Sequence, residues 1–302
     1  MIYDIRQVTT YDYASVVAYA RHVLRLTPID RPGQRVHAAA LEIEPAPIAR
    51  REGQDFFDNR MTWIEFDQPH DRLSVRVAAR IAVKHDVMPQ ASPAWEAIRD
   101  AAFAATDLSP NSPVHYVFPS RQVPLDPEIR AYAAESFPPG RLVLDGAVDL
   151  MRRIKADFVY EIGATTASTT APMSFALRRG VCQDFAHIMI SGMRGLGLPA
   201  AYVSGYLRSG SSQDDGLAGA DAMHAWVLVG CGDEVGWCGL DPTNGIFAGD
   251  DHVVLAIGRD YADVAPIDGV IFASGGQRLE VSVSVTPVAS PEIGLGDRRT
   301  LA

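Results

Sequence analysis

Two kinds of hydrophobic periodicity divide the chain. Alternation with a period of two, typical of half-buried antiparallel strands, runs through residues 35–45 and 72–83. Residues 61–69 also favour a strand, whereas residues 16–26 fit a helix or a strand equally well. Because clusters of turn-forming residues separate these stretches, residues 1–90 are predicted to form an antiparallel β-rich domain.

The pattern becomes helical after residue 93. Helices are predicted over residues 94–105, 126–137 and 143–155, the second with Asp126 as its N-cap followed by a proline. A loop rich in serine and threonine follows, over residues 163–172. It leads to the longest helical stripe, which begins at Cys182 and reaches position 196.

Strand-like segments follow this helix. They cover residues 200–207, 224–230, 236–242 and 252–258. The sequence therefore predicts an α+β fold, in which residues 91–289 form a core with a central helix packed on an antiparallel sheet. Residues 290–302, rich in charge and glycine, are predicted to be a poorly ordered tail.

The composition is that of a soluble globular protein, with 47% hydrophobic and 21% charged residues. The net charge is −10, and residues 1–95 carry 12 basic and 12 acidic side chains, so the excess of negative charge lies in the remainder. This balance argues against nucleic-acid binding, which needs a basic surface. Since no apolar run is long enough to span a bilayer, no membrane partner is expected either.

The first residues of the chain lack the pattern of a secretory signal, and three cysteines are too few for a disulfide scaffold. A reduced, cytoplasmic protein is therefore expected. Cys231 and Cys238 flank a predicted turn. We expect them to be reduced packing residues, although a hairpin would let them pair if they were oxidised.

Cys182 is a candidate for chemistry because it starts a predicted helix. The positive end of the helix dipole and the unpaired N–H groups of the first turn stabilise a thiolate, and they also stabilise an oxyanion formed beside it. His187 lies about 140° further around the helix, so we interpret it as a packing residue. The helix alone leaves open a second interpretation, in which Cys182 is a small buried apolar residue.

His224 and Asp241 supply the partners that a catalytic cysteine needs. His224 stands where a Gly/Ser/Asp-rich stretch meets a predicted strand, and Asp241 ends the next strand before a proline. A hairpin between the two strands would bring them together, and a carboxylate there would fix the tautomer of the imidazole. A metal site built from Cys182, His187, His224 and Asp241 is disfavoured. The two of these residues that are nearest in sequence, Cys182 and His187, point in different directions on the predicted helix.

The segments GVCQDFAH, GLPAAYVSGYL, HAWV and GWCGLDPTNG resemble the catalytic blocks of the transglutaminase-like superfamily, in the expected order. HVLRLTP, DFFDNRMTWIEFDQPHDRLSVRV and GRDYADVAPIDGV resemble the bacterial subgroup with a β-rich N-terminal domain. The resemblance implies a papain-like core that uses no cofactor and no metal. It also implies that Cys182 is the nucleophile, His224 the base and Asp241 the residue that orients the base.

The resemblance further implies acyl transfer from an amide of a protein or peptide substrate, most simply peptide or isopeptide hydrolysis. Transamidation and a catalytically inactive scaffold that binds a partner stay open as alternatives. Tyr160, Gln183 and Trp226 are the candidates for binding the oxyanion or the substrate, with a core tyrosine as the alternative at Tyr160. The N-terminal domain is a candidate module for recruiting the substrate.

Overall fold

The computed structural model describes residues 1–84, 89, 91–208, 217–218 and 222–288. The predicted tail, 290–302, and most of the Gly/Ser/Asp-rich stretch before His224 lie outside these residues. The strands of the N-terminal region are β1 (Ile2–Val17), β2 (Tyr19–Leu24), β3 (Gln34–Glu44), β4 (Ala49–Gln54), β5 (Arg60–Phe66) and β6 (His70–Val83). The segment that fitted helix and strand equally well is thus strand.

Helices and short strands follow in the middle of the chain. They are α1 (Trp95–Ala104), a 3-10 turn (Pro113–Tyr116), α2 (Pro127–Ala134), α3 (Val143–Asp157), β7 (Val159–Tyr160), α4 (Ala171–Leu177), β8 (Arg179–Gly180) and α5 (Cys182–Gly195). The predicted N-cap is confirmed, since the Asp126 carboxylate accepts from the backbone N–H groups of Glu128 and Ile129, both at 2.9 Å. The helix α4 begins at the end of the segment predicted as a loop.

The remaining elements are β9 (Ala200–Leu207), β10 (Met223–Gly230), β11 (Trp237–Asp241), β12 (Ile246–Phe247), β13 (His252–Gly258), α6 (Tyr261–Val264), β14 (Ile267–Phe272) and β15 (Gln277–Pro287). Within the described ranges, the core sheet has the order β12-β11-β10-β9-β13, and all its pairs are antiparallel. The predicted α+β class and the helix on an antiparallel sheet are confirmed.

The helix α5 is central to the core. All its residues from position 183 to 194 are buried, and it contacts β9 and β10 as well as α2, α3 and α4. A helix that is enclosed on every side lies in the interior of a domain. Its last turn is fixed by buried Arg194, which donates to the carbonyl oxygens of Tyr116, Phe118, Ala200 and Arg259. These bonds satisfy a buried guanidinium and hold the helix along its axis.

The β-rich region is built from both ends of the described chain. Its two sheets have the strand orders β15-β1-β6-β3 and β14-β2-β5-β4. The strands β14 and β15 lie within the range predicted for the core, yet they pair with β2 and β1. The position of the boundary between the two predicted domains stays a prediction. Among the residues described, no helix combines the length and the apolar character required to cross a membrane.

Two side-chain amides attach the β-rich region to the core sheet. Gln34 exchanges two hydrogen bonds with the backbone N–H and carbonyl of Val254, both at 2.8 Å. Asn59 does the same with Ile257, at 2.7 and 2.8 Å. Gln34 and Asn59 are buried, so each amide replaces the pairing that a further strand would give the edge strand β13.

We expect Asn59→Ala to reduce the free energy of unfolding by about 2–4 kcal/mol, because the substitution leaves two partly buried backbone groups of Ile257 without a partner, at about 1–2 kcal/mol each. Urea denaturation followed by far-UV circular dichroism measures the change. The control is Asn111→Ala, at an exposed asparagine, with an expected effect within about 0.5 kcal/mol. Equal stability of the two variants would contradict this role of Asn59.

Candidate active site

Cys182 is the first residue of α5, as the helical stripe predicts. Its side chain is half-buried, and the N–H groups of the first turn lack acceptors within the helix. The Asp184 carboxylate accepts from the backbone N–H of Val181 at 2.8 Å and from the Thr165 hydroxyl at 2.6 Å. These contacts fix the start of the helix, and with it the position of the sulfur.

His224 and Asp241 meet through the predicted hairpin. The strands β10 and β11 pair antiparallel, and His224 Nε2 lies 2.9 Å from Asp241 Oδ2, with both side chains fully buried. Since Nε2 is engaged by the carboxylate, Nδ1 is the ring nitrogen left for the thiol of Cys182; it is buried without a hydrogen-bond partner among the described residues, and Cys182 lines the same pocket as His224. The structure thus brings together the three residues that the sequence singled out as a nucleophile, a base and an acid.

The electrostatics of the site favour a charged imidazole. Burial lowers the pKa of His224, but the hydrogen bond to Asp241, the charge of Asp241 and the electrostatic effect of the Cys182 sulfur outweigh it and raise the pKa to about 10. Burial acts to raise the pKa of Asp241, yet the hydrogen bonds from His224 and His252 hold it well below its usual value. An anionic Asp241 therefore faces a His224 that keeps its proton across neutral pH.

The Asp241 carboxylate is held by a turn as well as by the two histidines. Oδ1 accepts from the backbone N–H groups of Thr243 at 2.9 Å and Asn244 at 3.2 Å, and Oδ2 accepts from Asn244 Nδ2 at 2.7 Å. Aspartate followed by proline in a short turn provides this geometry, because its side chain bonds the backbone two residues further on. The motif DPTNG thus supplies both the acid and its support.

His252 is a member of the site that the sequence analysis missed. Its Nδ1 accepts from the backbone N–H of Gly249 at 3.2 Å, which leaves Nε2 facing Asp241 Oδ2 at 3.4 Å. The signal was present, since His252 is the first residue of the strand β13 and His224 is the second residue of β10. The strand order that places both histidines beside β9 is a long-range property that local patterns do not reveal.

The ligand atoms of His224, Asp241 and His252 lie within 4.8 Å of one another, which is close enough for a metal ion. Both imidazoles, however, contact the same carboxylate oxygen through Nε2. A metal ion would have to displace both of these contacts. The arrangement described here is a hydrogen-bonded network in which the carboxylate orients two rings.

The three candidates for substrate or oxyanion binding occupy different places. Tyr160 is half-buried against Phe185, with ring centroids 6.4 Å apart, and burial followed by the electrostatic effect of Cys182 raises its pKa to about 12. Gln183 lines the pocket of Cys182 and donates from Nε2 to the carbonyl of Ala167 at 3.1 Å. Gln183 thus lies in the pocket of the sulfur, and Tyr160 lies within the range of its electrostatic effect.

Trp226 lies behind the histidines, and it lines a different pocket from that of Cys182. Its ring stacks on His224 with centroids 6.2 Å apart and meets His252 edge-on at 5.1 Å. Tyr202, absent from the sequence-based candidates, is buried and lines the pocket of Cys182. His187 is buried as predicted, accepts from the backbone N–H of Tyr261 at 3.2 Å, and has a pKa that burial lowers to about 4.

Cys231 and Cys238 are both buried and free. They contact each other across the turn between β10 and β11, and this contact, followed by burial, raises the pKa of Cys231. Their burial agrees with the interpretation as packing residues, and their reduced state stays a prediction.

Gly205 creates the space that Trp226 occupies. It is the cross-strand neighbour of His224, and a Cβ at this position would lie 2.1 Å from the Val253 carbonyl oxygen and 2.5 Å from Trp226 Cη2. Real Cβ atoms do not approach this closely, so any larger residue would displace the tryptophan that supports both histidines. Glycine is required here by close approach of the strands.

We expect Gly205→Ala to lower the free energy of unfolding by about 1–3 kcal/mol, the usual cost of overpacking, and to change the near-UV circular dichroism of the tryptophans. Gly276→Ala is the matched control, because a Cβ there meets nothing within 4 Å. If the two variants showed equal stability and identical spectra, the close packing at Gly205 would be of no consequence.

Comparisons with known proteins agree with this architecture. Residues 3–82 match the bacterial transglutaminase-like N-terminal region, and residues 131–242 match the transglutaminase-like superfamily. An uncharacterized protein of Mycobacterium tuberculosis is 35% identical, with 94% of this chain and 92% of the relative covered. An uncharacterized protein of Mycobacterium leprae is 28% identical, with 93% and 97% covered.

The solved structure of a protein from Cytophaga hutchinsonii, which is named a "Putative Cysteine Protease", has the same fold. The TM-score is 0.72 with 20% sequence identity, over 96% of this chain and 92% of that chain. The family itself is shown by the two matching regions and the mycobacterial relatives. The chain belongs to the transglutaminase-like superfamily, in the bacterial group that carries a transglutaminase-like N-terminal region.

Proposed function

We propose that this protein is an enzyme that cleaves amide bonds by acyl transfer to the thiol of Cys182. The observation that carries the proposal is that Cys182 and His224 line one pocket while the His224 imidazole is held 2.9 Å from the Asp241 carboxylate, with the other ring nitrogen, Nδ1, left without a partner among the described residues. A thiol is activated as a nucleophile when it lies beside a base that an acid holds in the correct orientation.

In the first half of the reaction, the Cys182 sulfur attacks the carbonyl carbon of a peptide or isopeptide bond. The N–H groups at the start of α5 stabilise the oxyanion, and the hydroxyl of Tyr160, whose pKa the electrostatic effect of Cys182 helps to raise, is the candidate second donor. His224 then gives its proton to the departing amine nitrogen as the carbon–nitrogen bond breaks. The acyl group remains on Cys182 as a thioester.

In the second half, His224 accepts a proton from water as the water oxygen attacks the thioester. The carboxylic acid leaves, and the thiolate is restored. Water is the acceptor that the exposure of the site favours, because Cys182 is only half-buried and solvent reaches the thioester. The expected substrate is a protein or a peptide, and transamidation would need a site that excludes water better than this one.

The first test is the pH dependence of Cys182 alkylation by iodoacetamide, with peptide mass spectrometry to separate it from Cys231 and Cys238. Because His224 has a pKa raised to about 10, its positive charge persists at pH 6 and supports a thiolate there. We expect the labelling rate to fall by less than about 3-fold between pH 8 and pH 6, whereas a free thiol with a pKa of about 8.5 loses roughly 80-fold.

In His224→Ala the labelling should take the steep pH dependence of a free thiol, whereas the exposed His37→Ala should behave like the original protein. A steep dependence in the original protein would leave the inactive scaffold as the better interpretation. The shallow profile is expected only when Cys182 and His224 form an ion pair.

Asp241→Asn should lower kcat/KM by a factor on the order of 10³, since an amide no longer selects the productive imidazole tautomer or stabilises the imidazolium. The measurement uses the fastest substrate from a library of fluorogenic peptide amides. The exposed Asp233→Asn variant is the control and should keep full activity. Unchanged kcat/KM in Asp241→Asn would remove Asp241 from the mechanism.

The same assay, with glycine ethyl ester added, identifies whether water or an amine accepts the acyl group from Cys182. Mass spectrometry of the products then separates a free carboxylic acid from an amide of the added amine. We expect the acid to predominate at millimolar amine, and a predominant amide product would instead identify a transamidase.

A further inference from the structure

The strand β15 carries an apolar stripe that the interior of the β-rich region covers only in part. Leu279, Val281, Val283 and Val285 alternate with exposed polar residues and therefore share one face of the strand. Val283 and Val285 are both 6% exposed and fill the core, whereas Leu279 is 52% and Val281 44% exposed. The stripe thus continues beyond the core and leaves two large apolar side chains uncovered.

The uncovered end of this stripe lies in the pocket of the catalytic cysteine. Leu279 is directly opposite Tyr11 of β1, and Val281 is opposite Thr9, so the four side chains share one face of the sheet. We call these four residues the apolar strip. All four line the same pocket of about 280 Å³ that contains Cys182 and His224. The two ends of the described chain thus form one wall of the active site.

Apart from Cys182 and His224, the rest of the pocket is uncharged as well. Among the described residues, its lining contains no aspartate, glutamate, lysine or arginine, in a chain that is 21% charged. A charged side chain that packed against the apolar strip would lose its hydration without meeting a counter-ion there. An apolar side chain would bury its own surface together with that of the strip, which is favourable. Ile267, at the start of β14, extends the apolar lining.

We propose that the apolar strip is a specificity subsite, which selects substrates with a large aliphatic or aromatic side chain next to the scissile amide. This inference rests on the proposed function, because it names the class of substrate for the same site. The β-rich region then takes part directly in the choice of substrate, since Thr9 and Tyr11 come from its strand β1 and Leu279 and Val281 from β15.

The test compares two peptidyl fluoromethyl ketones, one carrying Leu-Leu and the other Asn-Asn, which have side chains of similar size. The sulfur of Cys182 displaces fluoride from the reactive carbon, so the labelling rate reports binding of the neighbouring side chains. We expect the leucine probe to label Cys182 at least about 10-fold faster than the asparagine probe, in keeping with burial of one aliphatic side chain.

Leu279→Asn should reduce this preference to about 3-fold or less while labelling by iodoacetamide stays unchanged. Val270→Asn is the control, at a residue that is 63% exposed, lies on β14 and does not line the pocket; it should keep the full preference. If circular dichroism shows that Leu279→Asn does not fold, Val281→Thr makes the same test, because threonine has almost the same shape as valine. The preference for the leucine probe should fall in this variant too.

The outcomes separate the two proposals. If both probes label Cys182 rapidly and at equal rates, or if Leu279→Asn and Val281→Thr keep the full preference, the subsite is wrong while the thiol chemistry stands. If neither probe labels Cys182 faster than an ordinary thiol and iodoacetamide gives the steep pH profile, the proposed function is wrong, and the subsite falls with it.

Discussion

The buried Asp241 carboxylate is the constraint on which the site depends. A carboxylate without water is costly, and it is tolerated only when its lone pairs are occupied and a positive partner lies near. Here backbone N–H groups, an amide and two imidazoles meet the two oxygens. Because these groups come from β10, β13 and the turn after β11, satisfying one charge brings the ends of three strands together.

The position of the sulfur depends on a second set of contacts at the other side of the pocket. The start of α5 is held by the carboxylate of Asp184, and its far end is held by the guanidinium of Arg194. A helix fixed at both ends and enclosed along its length presents its first residue with little freedom. Geometry that is set before the substrate arrives is what the proposed acyl transfer requires, because the cost of ordering the groups has already been met in folding.

Much of the site could be predicted from the sequence because its signals are local. Cys182 stands at the start of a helical stripe, and His224 and Asp241 stand at the ends of two consecutive strands that form a hairpin. The roles of His252 and of the apolar strip could not be predicted in this way. They depend on strands far apart in the chain that become neighbours in the sheets, and hydrophobic alternation identifies a strand without identifying its partner.

The fold also divides into local features that the sequence predicts and long-range features that it does not. The alternating stretches and the capped helix α2 were predicted close to their observed bounds, whereas β14 and β15 were not assigned as strands, and nothing in their composition indicates pairing with β2 and β1. Pairing between the two ends of a chain is decided by the shape of the whole molecule. The sequence therefore indicated which segments were strands more reliably than which sheet they join.

The amides of Gln34 and Asn59 have a consequence for self-association. An edge strand with open N–H and carbonyl groups is a template on which another chain can add a strand, and proteins protect such edges. On β13 the two amides occupy the groups of Val254 and Ile257 that a foreign strand would need. The attachment of the β-rich region therefore also closes the β13 edge of the core sheet to aggregation, without adding a charge to that edge.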